Sequence, residues 1–245
     1  MKLAGVFLAA LGTALATGLG VLPFLFSRSA SRRWVGLANA AAAGFMLAAS
    51  LALTIEGAQR GPLRLAGGAL AGALFIVAAQ RLLHGREGLH LGVLRGADAR
   101  KAVTIVAVMT VHSLTEGIGV GVSYGGGRTL GVFITAAIAI HNIPEGLAIS
   151  LVLVPRGASL RTAAWWSVFS SLPQPLLAVP AYVFVEKFKP LLPAGLGFAA
   201  GAMVWLVLSE LIPDARASAT NRAVGGVLAL TFAAMMALQA LLLKF

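Results

Sequence analysis

Eight apolar runs, each about as long as a lipid bilayer is thick, occupy most of this sequence. A helix needs about 20 apolar residues to cross the hydrocarbon core of a membrane. Within that core, a spanning backbone can satisfy its hydrogen bonds only as a helix or a closed barrel. Runs of this length predict eight transmembrane helices, at residues 3–26, 35–56, 64–84, 102–124, 129–154, 162–185, 191–212 and 223–243.

The segments between these runs are too short to hold a folded soluble domain. Hydrophobic residues make up 59% of the chain and charged residues only 11%, which lies well outside the composition of soluble domains. We therefore predict an all-α integral membrane protein in which residues 1–245 form a single polytopic domain surrounded by membrane lipid.

The basic residues indicate topology rather than a nucleic-acid partner. The net charge is +11, but the charges are scattered through short loops with no dense stripe, so no nucleic acid is expected. More of them lie in the connections 27–34, 85–101, 155–161 and 213–222 than on the other side. The positive-inside rule then places both termini outward and the loop 85–101 in the cytoplasm, in an inner or plasma membrane. The sequence leaves a homodimer open.

The loop 85–101 is the longest connection and has two histidines at or near its start. His84 and His90 lie close to Glu87 and Asp98. A polar loop of this kind is usually just solvated, and metal capture by the histidines is the alternative. The sequence alone does not decide between these two roles.

Two consecutive runs carry the same polar motif. His112 and Glu116, and likewise His141 and Glu145, are four residues apart, so each pair lies on one face of a helix. A charge at membrane depth costs at least ~2.5–3.5 kcal/mol, and neither run contains a Lys or Arg in its core. We therefore predict a cation between these two helices. Because the chain has no cysteine, nitrogen and oxygen ligands must hold it, with a methionine thioether as the one sulfur ligand left open. This donor set suits Zn²⁺, Fe²⁺, Mn²⁺ or Cd²⁺.

Prolines and isolated polar residues interrupt several of the apolar runs. Pro144 lies between two predicted ligands and is expected to bend or unwind its helix. Pro173 and Pro175 flank Gln174 and predict a second break, with Gln174 either a ligand or a satisfied amide. Glu210 lies toward the end of its run and is either a residue that reaches the interface or part of an exit path.

At these motifs the sequence resembles the ZIP (Zrt-, Irt-like protein) family of divalent metal transporters. The segment His141-Asn142-Ile143-Pro144-Glu145-Gly146 matches the family motif fully, and 112–117 matches it at the His, Glu and Gly. The resemblance implies a 3+2+3 arrangement of helices with inverted repeats. Helices 4 and 5 would carry the metal site in a mobile bundle that moves like an elevator. The similar segments 43–46 and 200–203, in the first and last helix triplets, agree with such repeats.

The resemblance also implies a ligand set. The main ion would be held by His112, Glu116, His141 and Glu145, with Met46 adjoining it; from its residue type alone, Met46 is core packing. Family members with a second ion often carry Asn, Asn or Asp, and Glu where this chain has Ser113, Asn142 and Gln174. These are weaker donors, so we predict one tightly held ion. A weak second position or a pathway would then involve Ser113, Asn142, Gln174 and Glu210.

The sequence favours a transporter over an enzyme. We predict transmembrane transport of divalent metal cations, with Zn²⁺ favoured; the metal is the substrate and no organic cofactor is expected. The phosphate-binding pattern G-x-x-x-x-G-K-[ST] is absent, so ATP does not drive this chain. The alternative is a membrane-embedded zinc metalloenzyme, which would need an open coordination position and a general base. The zinc-protease motif H-E-x-x-H is absent.

Overall fold

The computed structural model describes residues 3–26, 31–84 and 97–242, and every regular element in these ranges is helical. Short 3₁₀ segments cover Gly18–Leu25, Val154–Arg156 and Lys189–Leu191, and Val207–Leu211 is π-helical. The α-helices are α1 (Leu3–Thr17), α2 (Arg32–Arg60), α3 (Pro62–His84), α4 (Ala97–Gly126), α5 (Arg128–Leu153), α6 (Leu160–Ser171), α7 (Pro173–Lys187), α8 (Leu192–Leu206), α9 (Ile212–Ser218) and α10 (Asn221–Leu242).

Seven of the described helical segments are long and apolar enough to cross a membrane, judged by length and composition. The predicted fourth span, α4, is not among them, although its 30 residues extend over about 45 Å. The eighth span and the 3+2+3 arrangement therefore stay predictions. The seven segments are Leu3–Leu25, Arg33–Arg60, Pro62–Leu82, Arg128–Arg156, Leu160–Lys187, Lys189–Ser218 and Asn221–Leu241.

The boundary of the long loop differs from the prediction. The helix α4 begins at Ala97, inside the predicted loop 85–101, because Ala, Arg and Lys are strong helix formers that extend a helix beyond its apolar part. The rest of that loop, with His90, lies outside the described residues, as does the side chain of His84. Its cytoplasmic side and the role of these histidines stay predictions.

The predicted proline breaks had different outcomes. The run 162–185 is divided into α6 and α7 at Leu172, with Pro173 at the first position of α7, where a missing N–H costs nothing. By contrast, α5 continues through Pro144 without interruption, so of the two effects expected there local unwinding is absent and a bend stays a prediction. An irregularity that we did not expect is the π-helical turn before Pro213. The absent N–H of this proline leaves the carbonyl of Ser209 without its helical donor.

The helices pack as two groups. The first, the α2/α8 group, consists of α2, α3, α8, α9 and α10, in which α3 packs extensively along α8 and α10 along α2. The second, the α4/α5 group, consists of α1, α4, α5, α6 and α7. The groups meet mainly where α2 crosses α5 and where α4 crosses α8. Both helices with the repeated motif therefore belong to one group and lie against the other.

Within the α4/α5 group, the end of α1 and the 3₁₀ segment that follows it pass so close to α5 that only glycine fits at the contacts. A Cβ atom at Gly146 would overlap the carbonyl oxygen of Thr17, and one at Gly20 would overlap the backbone of Leu147. Backbone atoms cannot move aside as a flexible side chain can. These glycines therefore set the distance between the two helices, as small residues do at membrane helix contacts.

We expect Gly146→Ala to force α1 away from α5 and to destabilise the protein by at least about 1–3 kcal/mol, the usual cost of overpacking. Thermal unfolding of the purified protein in detergent measures the effect. Gly12→Ala is the matched control, since no atom lies within 4 Å of a Cβ at that position. Equal melting temperatures for the two variants would contradict the close contact.

Candidate metal centre

Three of the four predicted main ligands gather between α4 and α5. Glu116, His141 and Glu145 each place one ligand atom within 4.8 Å of the others. All three side chains are buried, with relative exposures of 0%, 0% and 3%. The i,i+4 spacing puts His141 and Glu145 on one face of α5, and the packing of α4 against α5 brings Glu116 to that face.

The imidazole of His141 is held at both nitrogens. Nδ1 lies 3.0 Å from the carbonyl oxygen of Ala137, one turn earlier on α5. Nε2 lies 2.6 Å from Oε1 of Glu116. When Nδ1–H donates to the carbonyl, the ring is fixed in the orientation that directs Nε2 to the cluster, as is usual for metal-binding histidines.

Glu145 supplies the observation that points most directly to a bound cation. Its Oε1 is buried and has no hydrogen-bond partner among the described residues. An acceptor left in this state costs free energy, and a carboxylate costs more than a neutral group. A cation between Glu145, Glu116 and His141 would satisfy this oxygen. One imidazole and two carboxylates form a donor set that suits first-row divalent ions.

The side-chain amide of Gln174 lies beside the cluster, at the position that the sequence analysis gave to a weak second ion. Gln174 Nε2 donates to Oε2 of Glu116 at 2.6 Å. Gln174 Oε1 accepts from Asn142 Nδ2 at 3.2 Å and lies 2.5 Å from Thr13 Oγ1. Asn142 Nδ2 also donates to the carbonyl of Thr13 at 2.8 Å. Gln174 is thus in direct contact with a predicted ligand, and its amide group stabilises the charge of Glu116.

Thr13 belongs to this hydrogen-bonded network around Gln174, and the sequence analysis did not identify it. It is fully buried and lies on α1, far in sequence from the motifs. The only signal was a hydroxyl in an otherwise apolar run. A hydroxyl is common in such runs because it can bond to its own helix, and Thr13 Oγ1 is also 2.6 Å from the carbonyl of Ala10.

The fourth predicted ligand, His112, lies outside the three-residue cluster. Its Nε2 is 3.4 Å from Oε2 of Glu210, on the π-helical turn of the other group. Glu210 Oε1 accepts a hydrogen bond of 2.6 Å from Gln80 Nε2. The contact between His112 and Glu210 therefore links the two helix groups. The alternative in which Glu210 only reaches the interface is not favoured, because its side chain is 23% exposed and points to a buried histidine.

The remaining predicted residues are buried near the cluster or in the core. Met46 is fully buried in the main apolar core, as its residue type suggested, and its ligand role stays a prediction. Ser113 Oγ lies 3.5 Å from Ser171 Oγ. Asn142 Oδ1 is buried without a hydrogen-bond partner among the described residues, so it is an oxygen donor that could face a weakly held second ion.

A hydrolase-like pattern in α4 has a structural explanation. Residues 121–125 read Gly-Val-Ser-Tyr-Gly, which matches the G-x-S-x-G of hydrolases. That motif requires a sharp strand-to-helix turn that exposes the serine. Here the segment is inside α4, and buried Ser123 donates to the carbonyl of Val120. The pattern therefore gives no support to the metalloenzyme alternative.

A comparison of the whole sequence with known protein families agrees with a metal-binding role for the clustered residues. The sequence profile of the ZIP zinc transporter family matches residues 84–240, which include Glu116, His141, Glu145 and Gln174. This chain belongs to the ZIP family. As a ZIP member with seven apolar helices of spanning length, it is an integral membrane protein.

Similar proteins from plants and animals are named as zinc transporters. A candidate zinc transporter of Arabidopsis thaliana is 44% identical over 243 residues, which cover 98% of this chain and 39% of the plant protein. Zinc transporter ZIP11 of Homo sapiens is 37% identical over 90 residues, 37% of this chain and 26% of the human protein. ZIP11 of Xenopus tropicalis is 34% identical over a segment of the same length. The chain thus spans less than half the length of each of these relatives.

Proposed function

We propose that this ZIP protein binds a divalent first-row cation at Glu116, His141 and Glu145 and transports it across the membrane. The observation that carries the proposal is the buried cluster of one imidazole and two carboxylates, with one oxygen of Glu145 left for a cation. The family profile and the similarity to proteins named as zinc transporters favour Zn²⁺ as the substrate, with Fe²⁺, Mn²⁺ and Cd²⁺ as further candidates. The protein acts as a transporter and not as an enzyme.

The division into two helix groups supports transport by alternating access. The three clustered ligands all belong to the α4/α5 group, on the two helices of that group that pack most against α2 and α8. We propose that the α4/α5 group moves with its ion against the α2/α8 group, in the manner of an elevator. The contact between His112 and Glu210 joins the groups in this state and would have to break or re-form during that movement.

Two glycine contacts support the proposed inverted repeats within one polytopic domain. Gly44 of α2 lies against Leu228 and Thr231 of α10, and Gly201 of α8 lies against Ala69 of α3. In a 3+2+3 arrangement, these are equivalent contacts in which each middle helix packs against the last helix of the other triplet. Inverted repeats of this kind are common in secondary transporters, where the substrate site lies between them.

The test is metal uptake by the purified chain in proteoliposomes, with Zn²⁺, Fe²⁺, Mn²⁺, Cd²⁺, Mg²⁺ and Ca²⁺ compared at equal concentrations. We expect saturable uptake of Zn²⁺ and much less of Mg²⁺ and Ca²⁺, which prefer ligand sets of oxygen alone. Uptake of Zn²⁺ no faster than in protein-free liposomes would contradict the proposal.

The same preparation gives a test of pH dependence. Ligands must lose their protons to bind a metal, so protonation of His141 competes with the ion. We expect the affinity for Zn²⁺ to fall as the pH is lowered, because protons compete with the ion for the nitrogen and oxygen ligands. An affinity that stays constant between about pH 7.5 and 5 would show that no histidine is a ligand.

A further inference from the structure

An open cleft of about 480 Å³ lies where α2 and α10 begin and α9 ends. None of its lining residues is among the predicted metal ligands. Two arginines line it, Arg33 from the first turn of α2 and Arg216 from α9, together with Ser218 and Thr220. Each of these four side chains carries a hydrogen-bond donor.

The walls of the cleft are held in place by close packing below it. A Cβ at Gly36 would lie 2.8 Å from the carbonyl oxygen of Ala215 and 3.0 Å from the Cβ of Ser218, so α9 lies directly on the first turns of α2. Ala40, Ala215 and Val224 form a buried apolar cluster that joins α2, α9 and α10. The two arginines therefore project from backbones whose relative position is fixed.

The charged side chains that line the cleft are both positive, and no carboxylate is among the described residues that line it. Arg33 and Arg216 are both exposed, and neither forms an ion pair with a carboxylate in the part of the chain that the structure describes. Arg222, on the first turn of α10, adds a third positive charge nearby. Guanidinium groups recognise phosphate through two parallel donors, so the cleft has the chemistry of a phosphate site.

An exposed tryptophan indicates the level of the cleft in the membrane. Trp34 follows Arg33 on α2 and is 69% exposed. Exposed tryptophans of membrane proteins are enriched at the headgroup level. There the apolar ring contacts the lipid tails while its polar N–H contacts the headgroups and water. The cleft therefore lies where lipid phosphates lie, and basic pockets between helices at that level bind anionic headgroups.

We propose that this cleft binds the phosphate of an anionic phospholipid, with Arg33 and Arg216 as the two phosphate-binding groups. The lipid would hold the ends of α2, α9 and α10 together, all of which belong to the α2/α8 group. Its binding is independent of the metal site. A zwitterionic lipid would bind less well, because its cationic headgroup would meet the arginines.

The test is native mass spectrometry of the full chain with equimolar phosphatidylglycerol and phosphatidylcholine. We expect the wild type to retain phosphatidylglycerol in preference to phosphatidylcholine. We expect the double variant Arg33→Gln/Arg216→Gln to lose about tenfold or more of this affinity. The matched control is Arg128→Gln/Lys187→Gln, which also removes two exposed positive charges, but at the start of α5 and the end of α7. This control should bind the lipid as the wild type does.

Three results would overturn the proposal. The first is equal retention of the two lipids by the wild type. The second is unchanged retention of phosphatidylglycerol by the Arg33→Gln/Arg216→Gln variant. The third is binding of inorganic phosphate as tight as that of the lipid, which would indicate that the ligand is a soluble anion. Both arginines are exposed, so the variant is expected to fold, and its elution in size-exclusion chromatography checks this. If it does not fold, the single variants are compared instead, each expected to lose about threefold or more.

Discussion

Zn²⁺ uptake should fall by at least about 100-fold when Glu145 is replaced by Ala. Loss of a partner that merely orients a metal ligand costs 10–100-fold in affinity, and Glu145 is proposed as a ligand itself. Folding should not suffer, because Oε1 of Glu145 has no hydrogen-bond partner among the described residues that the substitution could leave unpaired. Removal of an uncompensated buried charge can even stabilise the protein in the absence of metal.

The measurement is initial uptake by proteoliposomes with equal amounts of reconstituted protein, together with thermal unfolding in a chelating buffer. Glu56→Ala is the matched control, because Glu56 is a partly exposed carboxylate that pairs with Arg60 at the end of α2. We expect the control to transport Zn²⁺ nearly as well as the wild type. Normal uptake by a well-folded Glu145→Ala protein would remove Glu145 from the proposed site.

The variant Gln174→Glu should convert a site for one tightly held ion into a site for two. In the wild type, Gln174 Nε2 donates to Glu116 Oε2 and thus occupies the position from which a second cation would reach that oxygen. An ionised glutamate has no donor, so it would place a second carboxylate against Glu116 in a medium of low dielectric constant. The two charges repel strongly unless a proton or a cation lies between them.

We therefore expect two effects of Gln174→Glu. The metal-free protein should unfold at a lower temperature than the wild type, and the metal-loaded protein should bind about two Zn²⁺ per chain where the wild type binds about one tightly. Calorimetric titration gives the stoichiometry. Gln59→Glu, at an exposed position near the end of α2, adds the same charge without either effect. An unchanged stoichiometry would show that Gln174 is not in the position of a second ion.

The contact between Gln174 and Glu116 illustrates what the sequence could predict and what it could not. The run 162–185, with its two prolines around a polar residue, predicted a broken helix, and α6 and α7 indeed separate at Leu172. The sequence left open whether Gln174 is a ligand or a satisfied amide. Only the packing of α7 along α4 shows that its donor is directed to Glu116. Hydropathy reports which residues avoid water, but not which helices are neighbours.

The sequence by itself determined the helical membrane architecture and the pairing of His141 with Glu145, because both follow from local rules. An apolar run of sufficient length must be a helix in lipid, and residues four apart share a face of it. It left open whether Pro144 bends or unwinds its helix, and α5 is not unwound there, because neighbouring helices can support a continuous helix around a proline.

The tertiary structure alone decided how the motifs are used. It joined Glu116 to the pair on α5, directed His112 to Glu210 in the other helix group, and added Thr13 from α1. It also brought Arg33 and Arg216 to one cleft from opposite ends of the sequence. The physical reason is that these contacts depend on the rotation and depth of one helix relative to another. Those are set by close packing at glycines and by hydrogen bonds between distant residues, for which the order of residues along one helix carries no signal.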